Sequence, residues 1–309
     1  MSDTSKEIKV PALLPREAEH IDITKKYRLV IVPPQGRAGY AAPLKPTLLE
    51  TVKTRLNSKT PAAQFYLAGQ TFDECDILAS QTYLESTDHR FYVHSPLNTN
   101  LADKGYIGDQ TVNCLAGELK FVAPFPAQVV IHIGRVGKNR TGNIENIVTR
   151  LDQMNTTGDL PRGKLLLEVA AGKSGELGST WKDIRKIYEA LDTNKIQLTL
   201  DTQHVFASGM SALSSYDSIV KTFDRCQERS GYKVALVHLN DSKVKKKSQN
   251  DRHAPLSTGY VWKANTESLG EFIKYCDQES IDMVTETSAP LDDAKLIKSL
   301  RRVNEKSSK

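Results

Sequence analysis

The stretch LTLDTQHVF, residues 198–206, ends an apolar run in a carboxylate, Asp201, and sets an imidazole, His204, three residues further on. Two readings compete for it. Asp201 can be a helix N-cap acceptor with His204 in the first turn. Alternatively, the two are ligand-type side chains held at the end of a buried strand. The rest of the chain decides between them.

Short apolar, β-branched runs recur: YRLVIVP (27–33), AQFYLAG (63–69), RFYVHSP (90–96), QVVIHIG (128–134), KLLLEVAAG (164–172), IQLTLD (196–201), VALVHLND (234–241) and IDMVTET (281–287). Hydrophobicity that is nearly continuous over five or six residues suits strands buried on both faces, as in a parallel sheet. Segments of helical spacing lie between them. TWKDIRKIYEAL (180–191) puts Trp181, Ile184, Ile187, Tyr188 and Leu191 on one face, and 216–226 and 268–276 each have room for a crossover helix. Eight such runs, about 36 residues apart, predict a single (β/α)₈ TIM barrel over residues 26–305, preceded by a flexible extension over 1–25. The tail RRVNEKSSK reads as frayed. A doubly wound open sheet is the alternative, but no G-x-G-x-x-G follows the first run, which removes its dinucleotide-binding form.

The 309 residues, 39% of them hydrophobic, are enough for a large core. No apolar run approaches the roughly 20 residues that span a bilayer, and the opening MSDTSKEIKV holds no hydrophobic signal core. The expectation is an intracellular protein, cytoplasmic or nuclear, without a membrane partner and acting as a monomer. Cys75, Cys114, Cys226 and Cys276 are far apart and form no C-x-x-C pair, so they read as reduced, mostly structural thiols. The net charge of +5 permits a polyanionic partner without requiring one. Its placement says more: DSKVKKKSQNDRH (241–253) concentrates Lys243, Lys245, Lys246, Lys247 and Arg252, and Arg135, Lys138 and Arg140 follow IHIG. Such a run alone is an ordinary solvated loop.

Of seven histidines, His20 and His89 lie in polar surroundings. The other five fall at strand ends or in the loops just after them: His94, His132, His204, His238 and His253. Glu168, Asp201 and Glu286 occupy strand ends as well, and Asp251 lies two residues before His253. In a barrel these ends meet at the C-terminal face. One strand-end histidine is ordinarily a hydrogen-bonded structural residue, but five imidazoles and four carboxylates converging on one mouth need divalent metal to order them. A His/carboxylate set without thiolate favours Zn²⁺, with Mn²⁺ or Fe²⁺ compatible. LTLDTQH therefore reads as a ligand pair and not a cap.

The blocks LLLEVAAGKSGELG (165–178), LTLDTQHVFASG (198–209), VHLNDSKVKKKSQNDRHAPL (237–256) and ETSAP (286–290) resemble the endonuclease IV type of apurinic/apyrimidinic (AP) endonucleases, a metal-dependent (β/α)₈ family. The resemblance covers roughly residues 27 to 300. It implies about three Zn²⁺ per chain, with Mn²⁺ an alternative at one position. His94, His132 and Glu168 would hold the first, Glu168, Asp201, His238 and Glu286 the second, and His204, Asp251 and His253 the third. It implies hydrolysis of duplex DNA 5′ to an abasic site, giving a 3′-hydroxyl and a 5′-deoxyribose phosphate, with Glu168 and Glu286 as catalytic carboxylates. Lys245, Lys246 and Arg252 would contact DNA. The chain departs from the family pattern at Val169-Ala170, where Asn-Thr is usual, and at Ser257, where a loop glycine is usual. Gln70 and Leu97 stand where the family places an arginine and a tyrosine in DNA-inserting loops. A sugar isomerase or epimerase on a related barrel is the alternative, and a non-catalytic DNA-binding relative a third reading.

Overall fold

The computed structural model describes residues 7–9, 47–56, 62–67, 71–87, 89–137, 142–191, 195–230 and 233–307. The first expected strand, 27–33, lies outside them. One sheet is formed by seven parallel strands: β2 (Ala62–Phe65), β4 (Arg90–His94), β5 (Ala127–His132), β6 (Leu165–Glu168), β7 (Ile196–Asp201), β8 (Val234–His238) and β11 (Asp282–Val284). Their order across it is β11-β8-β7-β6-β5-β4-β2. Two small antiparallel pairs accompany them, β1 (Glu7–Lys9) with β3 (Thr71–Asp73), and β9 (Asp241–Ser242) with β10 (His253–Ala254). The first brings part of the expected extension against β3, and the second is a hairpin inserted after β8.

The α-helices among the described residues are α1 (Leu48–Arg55), α2 (Glu74–Glu85), α3 (Tyr106–Val122), α4 (Ile144–Thr157), α5 (Trp181–Glu189), α6 (Thr202–Ser208), α7 (Tyr216–Ser230), α8 (Thr266–Gln278) and α9 (Pro290–Ser307). In α5 the expected stripe is realised: Ile184, Ile187 and Tyr188 are buried, with Trp181 and Leu191 packed beside them. The C-terminal tail is not frayed as expected, because α9 carries it as helix to Ser307.

Both faces of the sheet are buried, which explains the continuous apolar runs. One face of each strand packs on the helices, with Phe91, Val93, Val129, Ile131, Leu165 and Leu167 meeting Leu115, Leu119, Ile147, Leu151 and Ile184 in one cluster. The other face encloses a separate small core of Tyr92, Val130, Leu166, Leu236 and Val284. This inner cluster belongs to a sheet rolled into a nearly closed barrel. Between the two outermost described strands, Gln64 on β2 donates from Nε2 to Oε1 of Glu286, just past β11, at 2.8 Å. Because side chains on a strand repeat every second residue, the next inward positions after the inner core are His94, His132, Glu168, His238 and Glu286.

Candidate metal centre

Those positions converge on Glu168, which is 1% exposed. Its Oε2 lies 3.2 Å from His94 Nε2 and 3.6 Å from His132 Nδ1, while its Oε1 lies 2.9 Å from His238 Nδ1. The two carboxylate oxygens thus face two different histidine sets. His94, His132 and Glu168 form one group of donor atoms suited to a metal ion, and Glu168, Asp201, His238 and Glu286 form a second. A third comprises Asp201, His204 and His253. Asp251 closes on it, with Oδ1 3.4 Å from His204 Nε2 and 3.2 Å from His253 Nε2. All nine residues singled out in the sequence are therefore in one mouth. The third group differs from the expected trio in adding Asp201, so two carboxylates, not one, are common to adjoining groups.

Asp201 also corrects the reading of LTLDTQH as a ligand pair and not a cap. Its Oδ1 accepts the backbone N–H of His204 at 2.9 Å and caps α6, while its Oδ2 faces His253 Nε2 at 3.4 Å. A carboxylate has an oxygen for each task, so the two readings do not exclude one another.

The donor spacing fits divalent ions. Two ligand atoms about 2.0–2.1 Å from a tetrahedral zinc stand roughly 3.3 Å apart, and the ion-pair distances between imidazole nitrogens and carboxylate oxygens in these groups run from 2.9 to 3.9 Å around that value. The inward Nε2 atoms of His204 and His253 are buried and have no hydrogen-bond partner. The outward ring nitrogens, in contrast, are tied down. Nδ1 of His94 meets the Ser95 carbonyl at 2.7 Å, Nδ1 of His204 the Val169 carbonyl at 2.8 Å, and Nδ1 of His253 the Glu286 carbonyl at 3.3 Å. A carbonyl accepts only, so each Nδ1 carries the hydrogen and each Nε2 is turned inward, the arrangement that orients histidine ligands. At the departure Val169-Ala170 the main-chain carbonyl of Val169 makes this contact, while its side chain is buried in the core.

The charges are strongly coupled. Burial raises the cost of ionising Glu168, yet His132, His238 and His94 outweigh it and hold the carboxyl well below its usual range. Asp201 is likewise depressed: burial opposes, and His204 and His253 prevail. Burial depresses His238, but Glu286, Glu168 and Asp201 push it up to about 9. For His253 burial again opposes, and Asp201 and Glu286 push it up to about 9. Behind His94, Ser95 donates to the fully buried Glu118 of α3, whose carboxyl burial raises to about 7.

The sequence reading passed over three residues here. Gln64 contacts both His238 and Glu286. Tyr66, two residues on and on the same strand face, sets its ring 5.1 Å from that of His94. Its hydroxyl is kept protonated by burial and then by Glu286, Glu168 and Asp251. Asn240, fully buried, donates to Asp201 Oδ2 at 2.8 Å and accepts the N–H of Glu286 at 2.8 Å. The alternation Ala63, Phe65, Leu67 against Gln64, Tyr66 was the available signal for the first two.

Of the expected DNA-contact residues, Gln70 lies outside the described residues. Leu97 is 66% exposed past β4, and Lys245, Lys246 and Arg252 are exposed on the β9–β10 loop. That loop is pinned to α6 by Lys247 N–H to the Phe206 carbonyl and Gln249 N–H to the Ala207 carbonyl. Asp241 accepts from the N–H of Gly259 and Val261 beneath it. Gly259 is required by proximity, since a Cβ there would stand 2.2 Å from the Ser242 carbonyl oxygen. Ser257, in place of the usual glycine, takes φ 61°, the left-handed region that glycine adopts at lower cost.

A parallel barrel with histidines and carboxylates gathered at its strand ends defines a broad class of proteins. Within it, residues 60–302 match the xylose isomerase-like TIM barrel family, and the chain belongs to that family. A protein of Oceanobacillus iheyensis named probable endonuclease 4 is 27% identical over 200 residues, 63% of this chain and 65% of the relative. The chain thus spans just under two thirds of that relative's length. The crystal structure of endonuclease IV from Thermus thermophilus matches with a TM-score of 0.63 and 23% identity, covering 77% of this chain and 84% of that one. A D-tagatose 3-epimerase-like protein matches with a TM-score of 0.62 and 15% identity, covering 85% of this chain and 96% of that one.

Proposed function

We propose that the protein is a divalent-metal-dependent phosphodiesterase that cleaves duplex DNA on the 5′ side of abasic sites, leaving a 3′-hydroxyl and a 5′-deoxyribose phosphate, and that also trims blocked 3′ ends. The observation that carries this reading is the third donor group, Asp201, His204 and His253 with Asp251 against them, joined to the other two. A sugar epimerase needs no such extension of its site, whereas a phosphodiester presents charge on several oxygens at once. The relative named probable endonuclease 4 points the same way.

In this reading His94, His132 and Glu168 would hold one ion, Glu168, Asp201, His238 and Glu286 a second, and His204, Asp251 and His253 a third. Zinc is favoured by the nitrogen and oxygen donors, with Mn²⁺ an alternative at one position. Bound ions supply Lewis acidity, lowering the pKa of water and drawing charge from the phosphate. The chain's own residues supply the order. Glu168, a member of two of the donor groups, would serve both the first and the second ion. Glu286, held by Asn240 and Gln64, orients the attacking water for in-line approach to phosphorus. Tyr66, its hydroxyl kept protonated, donates to a phosphate oxygen. Lys245, Lys246 and Arg252 contact backbone phosphates without sequence preference, and the exposed Leu97 wedges into the opened duplex.

The test is a nicking assay on a duplex with one abasic site, run beside free ketoses. Nicking 5′ to the lesion, abolished by chelator and restored by zinc, is the expected result. An uncut abasic duplex together with epimerised ketose would overturn the reading in favour of the sugar-active alternative.

A further inference from the structure

Among the described strands of the main sheet, β2 offers no histidine or carboxylate to the mouth, yet its Gln64 is 1% exposed and sits between two of the residues assigned to the second ion. Its amide nitrogen is 2.8 Å from Oε1 of Glu286, and its amide oxygen 2.9 Å from Nε2 of His238. The orientation follows from chemistry. A carboxylate only accepts, so the NH₂ end must face Glu286 and the oxygen must face His238. An amide oxygen also only accepts, so His238 must carry a hydrogen on Nε2. Its Nδ1 is thereby left to face inward, 2.9 Å from Glu168 Oε1 and 3.2 Å from Glu286 Oε2.

We infer that Gln64 is a positioning residue for the second ion: it dictates that His238 binds through Nδ1, and it holds Glu286 in place with the same amide. The inference rests on the metal-centre reading proposed above. His94, His204 and His253 are oriented by main-chain carbonyls, which substitution cannot remove. His238 is oriented by a side chain, which substitution can. Gln64 also links β2 to the residues just past β11 through the same amide.

The experiment uses the full chain and zinc alone, without DNA. Wild type, Gln64→Leu and Gln64→Glu are loaded and titrated with a zinc-chelating dye, and the histidine rings are followed by ¹⁵N NMR. Wild type is expected to show His238 with Nδ1 metal-bound and Nε2 protonated. Gln64→Leu removes both hydrogen bonds and should weaken one zinc by about 10–100-fold, the usual loss when a partner behind a ligand is removed, with the His238 signals shifted or exchange-broadened. Gln64→Glu keeps an acceptor for His238 Nε2 but sets a carboxylate against Glu286. It should restore the His238 ring signature without restoring the zinc affinity. Circular dichroism checks that each variant is folded, and Gln64→Glu serves if Gln64→Leu is not. Folded variants with wild-type affinity at every site and unchanged His238 signals would overturn the inference. A wild type that binds no zinc would instead overturn the metal-centre reading on which it rests.

Discussion

Asp201 shows how one side chain can serve helix and site together. Its Oδ1 caps α6 and its Oδ2 faces His253 and accepts from Asn240. Substitutions should separate the two roles. Asn caps a helix about as well as Asp, whereas Ala forfeits about 1 kcal/mol. In metal-free protein, Asp201→Ala should therefore melt below Asp201→Asn by an amount corresponding to about 1 kcal/mol. Both should lose the anionic oxygen shared by the second and third donor groups, and with it most of their zinc retention. Equal stability of the two variants would deny the cap, and full zinc retention in either would deny the shared role. The residue scale is also where the sequence was least transparent. Gln64 and Asn240 are ordinary amides in a linear reading, and only the fold reveals that each touches two of the nine site residues. Asp201 was legible as a member of the site but not as a cap too, because the competing readings treated a carboxylate as having one job.

Strands were the most legible elements. Parallel strands buried on both faces are written as continuous apolar runs, and each polar interruption at the C-terminal end of such a run became a mouth residue: His94, His132, Glu168, Asp201 and His238 end their strands. Glu286 lies two residues past β11, on the same inward repeat as Val284. The β9–β10 hairpin was not legible, since two-residue strands have no periodicity to read, and the last turns of α9 read as a frayed tail because RRVNEKS holds a single apolar residue, Val303. The hairpin loop bears the exposed Lys245, Lys246 and Lys247 and is fastened to α6 by main-chain hydrogen bonds. A fastened basic loop beside the mouth should contact phosphates. Replacing the three lysines with alanine is expected to weaken binding to abasic and intact duplex alike. The slope of log K against log salt should become shallower by up to about 0.9 for each phosphate left unneutralised. Unchanged affinity and slope would reduce the run to a solvated loop.

For the whole molecule, the joined clusters tie stability to protons and metal. In the metal-free protein, His238 and His253 are pushed up to about 9 from an ordinary 6.5. Groups raised in this way stabilise the fold fully below about pH 6.5, and that contribution disappears as pH rises through about 9. Glu168 and Asp201, both depressed, contribute above the usual carboxylate range and lose that contribution as pH falls. Chelated protein should thus melt at progressively lower temperature between about pH 6.5 and 9, while zinc-loaded protein should not, because an ion replaces the protons. Parallel melting curves with and without chelator across that window check this. The central claim is that three donor groups, joined through Glu168 and Asp201, hold a cluster of ions that does the chemistry. Its most direct test is elemental analysis of protein active on abasic duplex, wild type beside Glu168→Ala. The expected result is about three divalent ions per wild-type chain, mainly zinc, with two of them and nearly all nicking lost in Glu168→Ala. One ion or none in an active preparation, or an active Glu168→Ala, would contradict it.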